Sequence, residues 1–305
     1  MKITTIIPFF NSGNYLSLML DSILSGTVLP SEILLIDDGS TDESPSIAKD
    51  YAARFPIINY IKKEHAGVSA ARNLGIQIAS GDWISFLDAD DYIEKTMYEQ
   101  MLASPSDNVD CCLCGYFTEK DGISTEYVNS YSFLNSNEFL KAMFTDDTVR
   151  GFLFTRLFKA NIVKELQFDT NISMCEDLLF QTILFTKHPD LRISCINAPL
   201  YHYVQNSRSA TSKLNYFNND TFKYKPAFDV IRSLTKSSDF VENSYNSILE
   251  YSMYTLLKTY RNGDKSLISQ IRLLQKELKS TQPDKITKRR FAYEHAPILY
   301  SHFLK

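Results

Sequence analysis

Nothing in this 305-residue sequence strings together the roughly 18 apolar residues that a membrane-spanning helix needs. The apolar start, MKITTIIPFFNSGNYL, is short, is broken by Pro8 and Asn11, and has no small-residue cleavage site. It therefore reads as a buried strand and not as a secretory leader. No GxGxxG loop and no GxxxxGK[ST] loop occurs, which removes the two commonest phosphate-cradling fingerprints. Internal repeats and low-complexity tracts are missing as well. Basic charge is not in excess: 32 Lys and Arg stand against 36 Asp and Glu, a formal net charge of −4. A general attraction to nucleic acid is thereby excluded. Cysteine is sparse and odd in number, at five. Cys111 and Cys114 have CxxC spacing, but they lie in the apolar run VDCCLCGYF and no second pair exists. Buried strand cysteines are expected, not a zinc or redox centre, and the expected compartment is the reducing cytoplasm.

What is present is enough for a real core: 44% hydrophobic and 22% charged residues. Apolar spacing over the first hundred residues alternates between two periods. Strands are expected at Ile3–Pro8, Glu32–Ile36, Ile57–Ile61 and Trp83–Leu87, with helices at Tyr15–Leu24, Ser44–Phe55 and Val68–Ala79. Such a β-α-β-α-β-α-β order implies an open, mostly parallel sheet between helices, which binds ligands beyond the carboxyl ends of its strands. Three polar clusters fall at those ends: Pro8-Phe-Phe-Asn11, Asp37-Asp38 and Asp88-Ala89-Asp90. Further along, strands are expected at Val109–Phe117 and Arg192–Ile196, and helices at Ile93–Leu102, Asn135–Phe144 and Glu176–Thr186. After about residue 210 the pattern turns helical, with an apolar stripe at Leu267, Ile271, Leu274 and Leu278.

Three clusters could carry chemistry. In Phe86-Leu-Asp-Ala-Asp-Asp91 a turn accounts for one carboxylate, with Asp91 capping the next helix, but poorly for three. Two unit charges at 4 Å repel by ~1 kcal/mol in water and by ~4 at an effective dielectric of 20. A hard divalent cation would relieve that repulsion and leave sites open for a diphosphate. Asp37-Asp38-Gly39-Ser40 suits a turn, an acceptor for a uracil imide or ribose hydroxyl, or a receiver-type phosphorylation pocket; the last would want its acidic pair after the first strand. In His65-Ala-Gly67-Val-Ser-Ala-Ala-Arg72, Gly67 and Ser69 can open a helix whose start attracts anions. Arg72, one turn in, suits either a nucleotide contact or a surface salt bridge.

The stretches IIPFFNSGNYL, LLIDDGSTDES, HAGVSAARNLGI, ASGDWISFLDADD and MCEDLLF occur here in the order in which the inverting family 2 glycosyltransferases carry them. The sequence resembles that family continuously over residues 1–100 and again around 150–210. The resemblance implies a GT-A fold, a Rossmann-like α/β domain with a mostly parallel sheet flanked by helices. That domain would span 1–212, with a nucleotide-binding half at 1–100 and an acceptor-binding half at 101–212, followed by a helical region at 213–305. It further implies that Pro8, Phe10 and Asn11 line the nucleotide pocket and that Asp38 takes the base, with Arg72 nearby. Asp88-Ala89-Asp90 becomes a DxD motif for Mn²⁺ or Mg²⁺, with Asp90 the direct ligand and Asp88 nearer the ribose or sugar. Asp177 becomes the catalytic base; on the residues alone, Glu176-Asp177 is a helix cap.

Tyr201-His-Tyr-Val-Gln-Asn-Ser-Arg208-Ser209 resembles the family's YxYR…S segment, a flexible loop near the diphosphate, with Arg208 standing in for an arginine that is Val204 here. His202 offers itself as an extra metal ligand or as a packed ring. The processive members' QxxRW signature is missing, which implies one sugar per encounter. The expected partners are a nucleoside diphosphate sugar, a UDP-sugar first, and a glycan or lipid-linked glycan acceptor of a bacterial surface polysaccharide. A basic and aromatic tail from Lys285 through Arg290 to Phe303 suits either peripheral contact with the inner face of the cytoplasmic membrane or a helix packed on its own domain with its charges in water. A non-catalytic sugar-nucleotide sensor remains open. So does a sugar nucleotidyltransferase, although PFFNSGNYL lacks the Gly-rich segment it would need.

Overall fold

The computed structural model describes residues 1–103, 108–205, 216–281, 287–301 and 304. The chain divides into two compact units. One comprises Met1–Asn171 with Glu176–Gln205, the other Ile172–Cys175 with Asn206–Lys305. The boundary expected at 212/213 lies outside the described residues.

The first unit opens with β1 (Ile3–Phe9), α1 (Leu16–Leu24), β2 (Glu32–Asp37), α2 (Ser44–Arg54), β3 (Ile58–Lys62), α3 (Val68–Ile78) and β4 (Trp83–Phe86). It continues with β5 (Tyr92–Ile93), α4 (Met97–Leu102), β6 (Cys111–Lys120), β7 (Ile123–Tyr127), β8 (Phe133–Asn135) and α5 (Ser136–Thr145). It closes with β9 (Arg156–Lys159), α6 (Ala160–Val163), α7 (Glu176–Lys187) and β10 (Arg192–Val204). The strands form one sheet in the order β3-β2-β1-β4-β9-β6-β10-β5, with β7 on β6 and β8 on β10. The half made of β3, β2, β1 and β4 is parallel throughout. β9 then runs against both β4 and β6, while β10 runs parallel to β6.

Every residue of β1 and β4 is buried, as expected of strands covered on both faces. Alternation assigns the faces. Ile3, Ile7, Ile33 and Leu35 pack with Leu16, Met19, Leu20 and Ile23 of α1 and Ala48 and Tyr51 of α2. Ile6, Leu34, Ile36, Ile84 and Phe86 pack with Ala71 and Ile76 of α3, Phe139 of α5 and Phe180 and Leu184 of α7. The result is a mostly parallel sheet between two helical layers, the architecture expected from the alternating pattern. Cys111, Cys112, Cys114 and Cys195 are buried strand residues, and burial pushes the thiols of Cys112, Cys114 and Cys195 up to about 12.

Three sequence expectations are corrected. The helix expected at Ile93–Leu102 begins only at Met97, because Tyr92 and Ile93 pair with β10 instead. Asp91 caps no helix: its carboxylate is buried and held by β10. Tyr201–Val204 is not loop but the end of β10, a 13-residue strand that continues through a register shift at Pro199.

The second unit contains β11 (Phe217–Asn218), β12 (Thr221–Phe222), α8 (Lys225–Thr235), α9 (Asp239–Arg261), α10 (Ile268–Ser280), α11 (Lys288–His295) and α12 (Pro297–Ser301). Ile271, Leu274 and Leu278 of the expected stripe are fully buried in α10. Arg290 is also fully buried, donating to Glu294, Asn246, Thr281 and the Leu278 carbonyl, so the basic run is not a uniformly solvated face. No described helix is long and apolar enough to cross a membrane.

Gly115 of β6 marks a close approach: a Cβ there would lie 2.5 Å from the Tyr127 carbonyl oxygen and 3.1 Å from that of Ala198. Both are backbone atoms and cannot swing aside. Gly115→Ala should therefore destabilise the protein by about 1–3 kcal/mol, seen as a lower thermal midpoint in circular dichroism.

Candidate active site

β2, β1 and β4 are neighbours and parallel, so the segments leaving them emerge at one edge of the sheet. Near the end of β1, Pro8 is buried; just past it, Phe10 is 45% exposed and packs on His65 with ring centroids 4.5 Å apart and planes tilted by 33°. Asn11 takes a left-handed conformation (φ 52°). From there its Oδ1 accepts from the Thr41 and Asp42 N–H groups at 2.9 and 3.3 Å, tying the β1 loop to the β2 loop.

Asp38 is 3% exposed and richly bonded. It accepts from the backbone N–H groups of Ala66 (2.9 Å) and Gly67 (2.8 Å) and from Lys63, with the His65 Nδ1 2.8 Å away. Burial would raise its carboxyl, but Lys63 and the two amides outweigh it and hold the group below the usual range. Gly67 (φ 89°) opens α3, so Asp38 anchors the segment that starts this helix.

Five residues into α3 stands Arg72, 5% exposed. It is not on the surface. Its Nη1 donates to Glu176 Oε1 at 2.9 Å and its Nη2 to Asp88 Oδ1 at 3.3 Å. Burial alone would lower its pKa, but Glu176, Asp88 and Asp177 together raise it. The guanidinium thus joins the acidic turn after β4 to the first turn of α7.

In that acidic turn Ala89 is buried, while Asp88 and Asp90 are partly open. Asp88 has its carboxyl raised by burial against the opposing pull of Arg72, with Asp90 and Glu176 adding to the rise. Asp91 lies beneath. Its carboxylate accepts from the Tyr201 hydroxyl at 2.6 Å and the Val204 N–H at 2.7 Å, and burial pushes its pKa well up. Tyr201 also accepts from the Asp88 N–H at 3.3 Å and stacks on Phe154 with centroids 4.1 Å apart.

Asp177 accepts from the Leu178 N–H at 2.9 Å in the first turn of α7. Burial and the adjacent Glu176 push its carboxyl up to about 7, with Arg72 pulling the other way. A carboxylate poised there can take a proton at neutral pH. The structure therefore gathers Asp88, Arg72, Glu176 and Asp177, and fixes Asp38 through α3. Arg208 lies outside the described residues. Sequence reasoning did not find the partners of Arg72, nor the roles of Lys63 and His65 at Asp38. It had no signal for the Tyr201–Asp91 bond, which links residues 110 positions apart.

Among the described residues no three His, Cys, Asp or Glu side chains converge as a ready-made metal site. Asp88 and Asp90 nevertheless fit a hard cation, since they offer carboxylate oxygens and the Asp88 side chain is 37% exposed. Phosphate oxygens of a ligand would complete such a shell.

The model of the family described as Glycosyl transferase family 2 matches residues 4–166, more than half of the chain. The chain belongs to that family. It is a glycosyltransferase. Among its family relatives is the putative glycosyltransferase EpsH of Bacillus subtilis, 27% identical over 88% of this chain and 81% of that one. The poly(ribitol-phosphate) beta-glucosyltransferase of Bacillus spizizenii is 29% identical over 79% of this chain and 38% of its own. Among solved structures, S. aureus TarS 1–349 in complex with UDP-GlcNAc shares the fold (TM-score 0.70, 17% identity, 99% of this chain and 88% of that one).

The ionised form of Asp177 is penalised in the folded state. Stability from its raised carboxyl is therefore present below the unfolded value of 3.8 and is lost as pH rises through about 7. Asp177→Asn should stabilise the protein by about 1–3 kcal/mol at pH 8 and add little at pH 4, checked by denaturation at both values.

Proposed function

We propose that this family 2 glycosyltransferase moves one sugar from a nucleoside diphosphate sugar, a UDP-sugar first, to a glycan or lipid-linked glycan acceptor, inverting the anomeric carbon. The observation that carries the reading is Asp177, a carboxyl raised to about 7 next to Glu176, which Arg72 ties to the acidic turn at Asp88. The acceptor class draws support from relatives such as the poly(ribitol-phosphate) beta-glucosyltransferase. UDP as the carrier draws support from the fold shared with TarS, whose complex holds UDP-GlcNAc.

In this reading Phe10 and Asn11 border the nucleotide, with Pro8 beneath them. Asp38 shapes the base pocket by holding Lys63, His65 and the start of α3. Asp90 and Asp88 would hold Mn²⁺ or Mg²⁺, which when bound neutralises charge gathering on the departing diphosphate. Asp177 accepts the proton of the acceptor hydroxyl as that oxygen attacks. A positioned general base contributes ~10²–10⁴-fold. Arg72 keeps Glu176 and Asp88 from repelling Asp177 out of place.

Peripheral membrane contact stays a proposal on narrower ground. With Arg290 and Tyr293 buried, it rests on exposed Lys288, Arg289, Phe291 and Leu299.

Incubation with a panel of nucleotide sugars and Mn²⁺, followed by assay of free nucleoside diphosphate, tests the reading and names the donor. Release from one donor is expected; a protein that binds but never turns over is a sensor instead. Asp177→Asn should bind donor normally yet lose at least ~10²-fold in transfer. Asp90→Ala should weaken metal-dependent donor binding, whereas full activity without metal removes that assignment.

A further inference from the structure

One titratable cluster beside the site has no part in this mechanism. His202 of β10 is buried, with its ring between those of its strand neighbours Tyr92 and Phe117. The ring centroids are 4.1 and 4.5 Å away, at interplanar angles of 11° and 17°. Both ring nitrogens face carboxylates. Nδ1 lies 2.8 Å from Glu119 Oε1 and Nε2 lies 3.0 Å from Glu94 Oε1. Glu119 also accepts from the Ser124 hydroxyl at 2.9 Å and from the hydroxyl of Tyr92. Burial would raise the Glu119 carboxyl, but the bonds from His202 and Ser124 hold it below its usual range. With a proton on each nitrogen the imidazole donates to both partners; with one, a lone pair would point at a carboxylate.

Glu94 ends the turn that starts at Asp88, and β10 grips that turn along its length. The Tyr201 hydroxyl bonds the Asp88 N–H and the Asp91 carboxylate. Val204 donates to Asp91, and the Glu94 N–H donates to the Leu200 carbonyl at 2.9 Å. The side chain of Glu94 is 45% exposed and has water as an alternative partner. Its inward contact is the one to His202 Nε2.

We infer that His202 is a positioning residue: with one ring nitrogen on each carboxylate it bridges Glu94 to Glu119 and so fixes the Asp88–Glu94 turn against β6 and β10. Ring stacking alone needs no carboxylate at either nitrogen. The inference rests on the reading of Asp88 and Asp90 as the donor side of the site, but its test does not depend on activity.

Amide hydrogen exchange of the peptide covering residues 86–96, followed by mass spectrometry, reads the order of the turn directly. His202→Phe keeps an aromatic ring in the stack and removes both bonds. His202→Gln can donate to one glutamate but presents its oxygen to the other. His202→Gln combined with Glu94→Gln restores a complete bridge, with the amide of residue 94 donating to that of residue 202 and the latter donating to the Glu119 carboxylate. Exchange in this peptide should quicken by about tenfold in both single variants and return most of the way in the pair. Wild-type exchange in His202→Phe, or a pair as fast as His202→Gln alone, overturns the inference. Should His202→Phe fail to fold, the two glutamine variants carry the comparison. Mn²⁺ titration of the same proteins, followed by electron paramagnetic resonance of the free ion, separates the two readings. Slow exchange restored in the pair without Mn²⁺ binding in the wild type removes the metal assignment and leaves the bridge. Tight Mn²⁺ binding with unchanged exchange in His202→Phe does the reverse.

Discussion

A single buried guanidinium holds this site together. Arg72 is the cation around which Asp88, Glu176 and Asp177 are arranged, and its two bonds reach segments of chain otherwise remote from each other. Taking such ions out of water costs several kcal/mol each, and removal of one partner from a buried pair typically costs 3–5 kcal/mol. A buried charge cluster of this kind is typical of functional sites. Here it leaves one carboxylate more than the cation can satisfy comfortably, and Asp177 is the one whose carboxyl rises to about 7. The position of Arg72 is itself inherited from Asp38, which binds the amides of Ala66 and Gly67 at the start of α3. Asp38 and the Arg72 cluster are thus linked through the start of one helix.

β10 supplies the opposing wall. Its Tyr201, His202 and Val204 hold the acidic turn from below and beside, while Asp88 and Asp90 remain partly open above. Carboxylates held this close need a turn that cannot spring apart under their own repulsion. Asp91, read alone, looks like one more member of that cluster. In the fold it is a structural group, buried with Tyr201 and distinct in environment from its neighbours.

The sheet half from β1 to β4 was legible because β1, β2 and β4 are almost continuous buried runs and its helices repeat apolar residues on one face. Local signals were enough there: the expected helix at Val68–Ala79 is found at Val68–Ile78. The convergence of three polar clusters at one sheet edge was legible for the same reason, since parallel neighbouring strands leave no other arrangement. What pairs with what was not legible. Arg72 meets Glu176 across 104 positions, and His202 meets Glu94 across 108. No period or spacing encodes such contacts. Asp91 was misassigned because a carboxylate ahead of an apolar run looks the same whether it caps a helix or turns inward to a tyrosine. Arg290 was misjudged likewise, since a basic run gives no sign of which member is buried among Asn246, Thr281 and Glu294.

The central claim is electrostatic: the Asp177 carboxyl is raised to about 7 because burial and Glu176 push it up while Arg72 restrains the rise. Carbon-13 NMR of the aspartate carboxyls, with Asp177 assigned by its loss in Asp177→Asn, measures this directly. The account predicts an inflection near 7 in the unmodified protein and a higher one in Arg72→Met. An Asp177 carboxyl that titrates near 4, or that does not move when Arg72 is replaced, contradicts it.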